Sequence, residues 1–242
     1  LMSTYTFFSR LKVSLALCLL SVFLLGCAAL RSSTAKEKAP GSPMPTNLKG
    51  MAILHINDVY EIGALEGGTV GGMARVSSLY QQLKEEYFNS YLMLAGDFLS
   101  PSVMGTVKIE GERVKGAQMV DIMNQTGVSH VCFGNHEFDL KENELQARLN
   151  ESEFTWIAGN VLQNTSAGRQ NFAKETASGN MSKLPYCMAL YVADEERSWK
   201  VGIISVCLDA NKKDYVHYED VYESAKDQYR ILTQQQEVDF VI

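Results

Sequence analysis

The chain has 242 residues, of which 46% are hydrophobic and 21% charged, with a formal net charge of −6. That length and balance suit one good-sized globular core and exclude a disordered or fibrous chain. The acidic balance excludes nucleic acid as a bulk partner, because phosphate backbones need a basic face. A small anionic substrate stays compatible with it where bound cations dominate the local field.

The first segment reads as targeting. Arg10 and Lys12 precede an apolar run from Val13 to Leu25 that is too short for a comfortable membrane span and fits a secretory h-region. Leu24-Leu25-Gly26-Cys27 follows. It resembles a bacterial lipobox, in which cleavage before the cysteine leaves a lipid-bearing N-terminal Cys27; an ordinary signal peptide with Cys27 incidental is the alternative. We therefore expect a lipoprotein-type signal peptide over 1–26, a flexible tether over 27–48 rich in Ser, Lys and Pro, and a folded unit over 49–242. The expected location is extracytoplasmic, with the chain held at a bacterial membrane through Cys27.

Residues 51–57 read as a buried strand and 66–72 as a glycine-rich loop. Residues 73–87 read as an amphipathic helix with Val76, Leu79, Tyr80 and Leu83 on its apolar stripe. A strand is predicted over 91–95, and a helix over 115–125 with Met119, Ile122 and Met123 inward and Gly127 as its stop. Strand 129–133, helix 142–150 and strand 155–158 continue the alternation, which argues an α/β fold with parallel pairing.

The pattern then changes. Residues 160–183 are polar and read as a long loop. Residues 185–193 and 199–208 read as paired strands around the acidic turn Asp194-Glu195-Glu196, which fits a second sheet. Residues 218–236 read as mostly helical and 237–242 as the start of another strand. Cys132, Cys187 and Cys207 lie in apolar runs and read as buried free thiols. The Asn-x-Ser/Thr triplets are taken as chance.

Three polar clusters each follow an apolar run: Asn57-Asp58, Gly96-Asp97, and Gly134-Asn135-His136-Glu137-Phe138-Asp139. Carboxylates and amides at the C-terminal ends of buried strands gather on one edge of a sheet, where α/β folds bind ligands. Oxygen donors there suit divalent cations. Singly, Asp58 and Asp97 also read as turn residues, and Asp139 as an N-cap for the helix near Glu142. Glu137 reads as structural, Arg75 as salt-bridged within its helix, and His55, His130 and His217 as satisfied core imidazoles rather than ligands.

In order and spacing these clusters resemble the first three motifs of the calcineurin-like metallophosphoesterases, and with Gly71-Gly72-Met73-Ala74-Arg75 they are similar to the 5'-nucleotidase and UDP-sugar hydrolase branch. The resemblance implies a two-sheet sandwich flanked by helices. It implies hydrolysis of phosphoric esters of small-molecule nucleotides by water activated at two divalent metal ions (Mn, Mg, Zn or Ca). It assigns Asp58 to the first metal, Asp97 to the bridge, Asn135 to the second metal, His136 to acid catalysis or transition-state stabilisation, and Asp139 to orienting His136.

Two departures stand out. The family's first motif is usually Asp-x-His, and here Tyr60 takes the place of that histidine as a possible metal or substrate contact. The family's fourth and fifth motifs, with further histidines, are expected beyond Ile242, so the sandwich is expected to be incomplete at its C-terminus and the catalytic domain partial. Alternative readings are a catalytically impaired or inactive lipoprotein on the same scaffold, or a truncated fragment without function of its own.

Overall fold

The run Lys49–Ile56 alternates between two packed faces, as a strand inside a layered fold must. In this computed structural model it forms β1, with Met51 and Ile53 facing one apolar layer and Leu54 and Ile56 the other. The structure describes residues 49–193 and 196–242. The expectations for the signal peptide, Cys27 and the tether lie outside them, as do the first two residues of the acidic turn.

Helix α1 (Met73–Glu86) runs directly into β2 (Tyr87–Leu94), so this strand starts earlier than its apolar core suggests. α1 buries Met73 and Tyr80, while Leu79 is exposed. Leu79 was expected on the inward stripe; Met73, one turn before Val76, takes the buried end of that face. The stretch after β2 carries a small hairpin not foreseen in the sequence, β3 (Lys108–Ile109) and β4 (Glu112–Arg113), turned by Glu110 and Gly111 at positive φ.

α2 (Ala117–Thr126) buries Met119, Val120 and Met123 and ends on left-handed Gly127, whose N–H returns to the Met123 and Asn124 carbonyls. β5 (His130–Cys132), α3 (Glu142–Glu151) and β6 (Thr155–Ile157) complete the alternation. The first sheet has the order β1-β2-β5-β6, every pair parallel.

The polar stretch expected as a loop instead forms β7 (Val161–Thr165), β8 (Gly168–Gln170), β9 (Ala173–Glu175) and β10 (Met181–Lys183). These strands are short, β8 and β10 exposed and β7 and β9 mostly half-buried, so backbone pairing holds them and no apolar alternation announces them. β11 (Met188–Ala193) and β12 (Ser198–Ile203) pair antiparallel as expected. β13 (Val216–Tyr218) joins β7, α4 (Val221–Arg230) follows with Asp220 as its N-cap, and β14 (Phe240–Val241) adds to β12 in parallel.

Met93, Ile157, Leu190, Val192, Val201 and Ile203 fill the layer between the β1-β2-β5-β6 and β11-β12-β14 sheets. On the other face, the helices cover a core built around Phe98, Phe133, Phe138, Phe154, Trp156 and Phe172, with Phe133 and Trp156 4.9 Å apart between ring centres. The fold is thus the expected α/β sandwich. Cys207 is buried, whereas Cys132 and Cys187 are only partly so; burial still pushes the Cys132 thiol up to about 12, which leaves it a poor nucleophile. No helix among the described residues is long and apolar enough to cross a membrane.

Candidate active site

Parallel strands end on the same side, so the segments leaving β1, β2 and β5 converge by topology. Two backbone bonds fix the first pair: Ala95 N–H donates to Ile56 O (2.9 Å) and Asp58 N–H to Gly96 O (3.2 Å). Both aspartates sit at positive φ, Asp58 at 53° and Asp97 at 57°, a region that short polar side chains tolerate better than most. A Cβ on Gly96, itself at φ 73°, would lie 2.1 Å from Gly134 N, so only glycine lets the β2 and β5 exits touch.

Residues 135–139 then form one short 3-10 turn. Its geometry turns Glu137 and Phe138 inward while His136 and Asp139 stay partly exposed. The Glu137 carboxylate is fully buried and accepts four backbone N–H groups: Asp97 (2.8 Å) and Gly134 (2.7 Å) at Oε2, Phe98 (2.9 Å) and Leu99 (3.1 Å) at Oε1. Burial pushes its pKa above the ordinary carboxylate range, while the four donors pull toward the ionised form. The structural role expected of Glu137 is therefore concrete: it staples the β2 exit to the β5 exit.

Asp97 Oδ1 accepts the His136 N–H at 2.7 Å, and no donor among the described residues reaches Oδ2. Asp58 is exposed and holds Tyr60 OH at Oδ1 (3.0 Å) and Asn57 Nδ2 at Oδ2 (2.5 Å). The Tyr60 ring stands edge-on to His136 with centres 6.0 Å apart. Burial, the bond to Asp58 and the charges of Asp97, Asp58 and Glu137 push the Tyr60 phenol far above its ordinary value, so it stays neutral and donates. Asp58, Asp97, Asn135, His136 and Tyr60 thus meet at one edge.

His136 Nδ1 lies 2.9 Å from Asp139 Oδ2. That hydrogen bond, reinforced by the Asp139 charge, raises the imidazole pKa against the opposing effect of burial. Asp139 is not a helix cap: Lys141 occupies the N-cap of α3, and Glu144 reaches back to its N–H at 3.0 Å. Two further residues hold Asp139 in place. Ser100 Oγ donates to Oδ2 (3.1 Å), and Asn211 Nδ2 donates both to Oδ1 (2.9 Å) and to Asn135 O (2.9 Å). Neither was singled out from the sequence. Asn211, at φ 51°, sits in a polar loop whose approach to the turn is purely tertiary.

The remaining polar residues take other roles. His130 is buried, with Ser129 Oγ 2.9 Å from its Nδ1, but His55, expected in the core, is exposed because β1 is the sheet's edge strand. Arg75 donates to the Gly71 carbonyl (2.5 Å) and to that of Gly68, bracing the glycine-rich loop rather than pairing within its helix. Asn160, just after β6, is fully buried and clamps Cys207 (N 2.6 Å, O 3.0 Å) and Glu219 O (3.0 Å).

As donors, two carboxylates and a carboxamide fit an oxygen-preferring divalent cation and supply part of a ligand set. Among the described residues, no three His, Cys, Asp or Glu side chains group closely enough to hold an ion by themselves.

The sequence model of the family described as calcineurin-like phosphoesterase matches residues 51–200. A probable 5'-nucleotidase of Treponema pallidum (strain Nichols) is 27% identical over 138 residues, 52% of this chain and 22% of that protein. The human 5'-nucleotidase is 30% identical over 124 residues, 46% of this chain and 20% of that protein. The chain thus spans about a fifth of the length of these relatives. Among solved structures, a 5'-nucleotidase precursor from Thermus thermophilus superposes with a TM-score of 0.59 at 22% identity, covering 78% of this chain and 35% of that one, a likeness in fold.

Proposed function

The chain belongs to the calcineurin-like phosphoesterase family, and on that footing we propose that it carries the phosphate-binding half of a metal-dependent phosphohydrolase acting on small-molecule nucleotides. The observation that carries this reading is the single junction of Asp58, Asp97, Asn135 and His136 at the ends of three parallel strands, with His136 held by Asp139. Nucleotides enter as the substrate class because the curated relatives are 5'-nucleotidases.

In this reading Asp58, Asp97 and the Asn135 amide hold divalent cations, which when bound supply charge neutralisation at phosphorus and an activated water. The protein's own residues do the rest. His136, kept protonated by Asp139, places an N–H where the leaving-group oxygen gains charge and delivers its proton there. Asn211 and Ser100 fix Asp139, and Glu137 fixes the backbone beneath Asp97. A signal peptide and a lipid anchor at Cys27 would hold this edge outside the cytoplasm.

Phosphate release from 5'-AMP and from an aryl phosphate, measured with Mn²⁺ in wild type and Asp97→Asn, tests the reading. Release that vanishes in the variant is the expected result; no release by wild type from either ester would overturn it. Neutral Tyr60 at the first-metal position favours a second reading, an inactive lipoprotein on the same scaffold. Its mark would be a protein that takes up no divalent cation on titration.

A further inference from the structure

A cavity of about 490 Å³ adjoins the His136–Asp139 pair on the side of Ser100 and Asp139. It differs from the cavity against Asp58 and Tyr60, whose walls are mainly apolar side chains and glycines such as Val59, Leu65 and Met73. Here three cations, Arg113, Lys115 and Lys141, face two carboxylates, Asp139 and Glu144. Both carboxylates are engaged, Asp139 with His136 and Glu144 with the Lys115 ammonium. Arg113 and Lys141 have no ion-pair partner among the described residues, so the cavity keeps an excess of positive charge.

The wall is built rather than loose. Arg148 Nη1 donates to the Val114 and Lys115 carbonyls (3.0 and 2.9 Å) and pins that backbone onto α3. Ser102 lines the cavity with its Oγ turned into the protein, and Gln118 lies behind the wall; both carry buried polar atoms without a protein hydrogen-bond partner. Gln118 Nε2 sits behind Gly105, 3.8 Å from where a Cβ would stand. Two exposed cations without an ion-pair partner on the wall of one cavity point to a ligand rich in acceptor oxygens. A phosphoryl group meets that description: Arg113 offers a fork of donors and Lys141 a point charge.

We propose that this cavity is a second anion subsite, which seats a phosphoryl group that the substrate carries in addition to the one cleaved. The cavity shares Asp139 with the residue that protonates the leaving group, so the extra phosphoryl belongs to the leaving portion. The substrate class is then a nucleotide with two separated phosphoryl groups rather than a simple monophosphate. This rests on the phosphohydrolase reading above, and the test separates the two.

The first arm needs no catalysis. Protein kept in EDTA is titrated with inorganic phosphate by calorimetry, as wild type and as Arg113→Gln/Lys141→Gln, with thermal unfolding run on both. Saturable binding that weakens roughly tenfold or more in the variant, at unchanged unfolding temperature, is expected. No saturable binding by wild type, or equal binding by the variant, would overturn the subsite. The second arm adds Mn²⁺ and compares adenosine 3',5'-bisphosphate with 5'-AMP. A preference of about tenfold in kcat/KM for the bisphosphate, carried by KM and abolished in the variant with 5'-AMP unaffected, is expected. Equal kcat/KM in wild type would also overturn the proposal. Hydrolysis of neither ester would count against the phosphohydrolase reading instead, and the first arm alone would then decide the subsite.

Discussion

Glu137 Oε2 accepts the Asp97 N–H at 2.8 Å, which ties a buried carboxylate to the backbone of the one residue proposed to bridge two cations. Neighbours in sequence, His136 and Glu137 thus work on opposite sides of one 3-10 turn. His136 faces the open edge, and Glu137 holds the frame that aims Asp97. Glu137→Gln keeps the shape but puts an NH₂ group against backbone N–H donors. We expect a loss of about 3 kcal/mol in urea unfolding, the scale of breaking a buried charge-assisted network. An unfolding midpoint equal to wild type would refute the staple.

The His136–Asp139 pair has a signed pH dependence. Its hydrogen bond raises the imidazole pKa, so the folded state binds that proton more tightly than the unfolded chain does. The pair's contribution to stability is therefore full below the unfolded value of about 6.5 and is lost as pH rises through the raised folded value. Asp139→Asn should bring the imidazole pKa down and flatten this part of the stability profile. An NMR titration of metal-free protein reads it directly, and an unchanged imidazole pKa in the variant would sink the assignment.

Asn211 spends both amide hydrogens on the turn, one on Asn135 O and one on Asp139 Oδ1. It orients and does not react. Asn211→Ala should lower kcat about tenfold with little change in KM, since it disturbs a positioned acid rather than substrate binding. The His136 pKa should shift at the same time, because Asp139 loses a donor and its anchor, a response that mere loss of stability would not give. A raised KM at constant kcat would place Asn211 in binding instead.

The parts of this architecture legible in the sequence are those where apolar period and exit residue coincide. β1, β2, β5 and β6 announce themselves as buried runs, and their parallel order puts Asp58, Asp97 and Asn135 together without further information. What escaped is what only tertiary contact decides. Strands β7 to β10 are polar and pair through backbone, Asn211 reaches the turn from a distant loop, and His55 reads like a core residue until β1 proves to be an edge strand. Arg75 carries no local sign that its partners are carbonyls.

Gly96 makes a sharper test of the same convergence. A Cβ there would meet Gly134 N at 2.1 Å and Gly134 Cα at 2.6 Å, and the residue sits at φ 73°. Backbone cannot swing aside as a flexible side chain can. Gly96→Ala should cost at least about 2 kcal/mol and separate the β2 and β5 exits. A variant as stable as wild type would mean that the two exits do not touch in solution.

If Asp58 holds the first of the proposed cations, Tyr60 sets how strongly that cation can bind. Its hydroxyl donates to Asp58 Oδ1 at 3.0 Å, and its pKa lies far above the ordinary phenol value, so it occupies a carboxylate oxygen without offering an anion in return. Tyr60→Phe should free Asp58 and raise Mn²⁺ affinity slightly. Tyr60→His adds a neutral imidazole donor at the same place and should raise affinity by roughly tenfold, the scale seen when a ligand's surroundings are improved. Calorimetric titration with Mn²⁺ distinguishes the cases. Should all three proteins bind equally, Asp58 would lie outside the cation site, and Tyr60 would be a turn residue whose bond to Asp58 serves the fold alone.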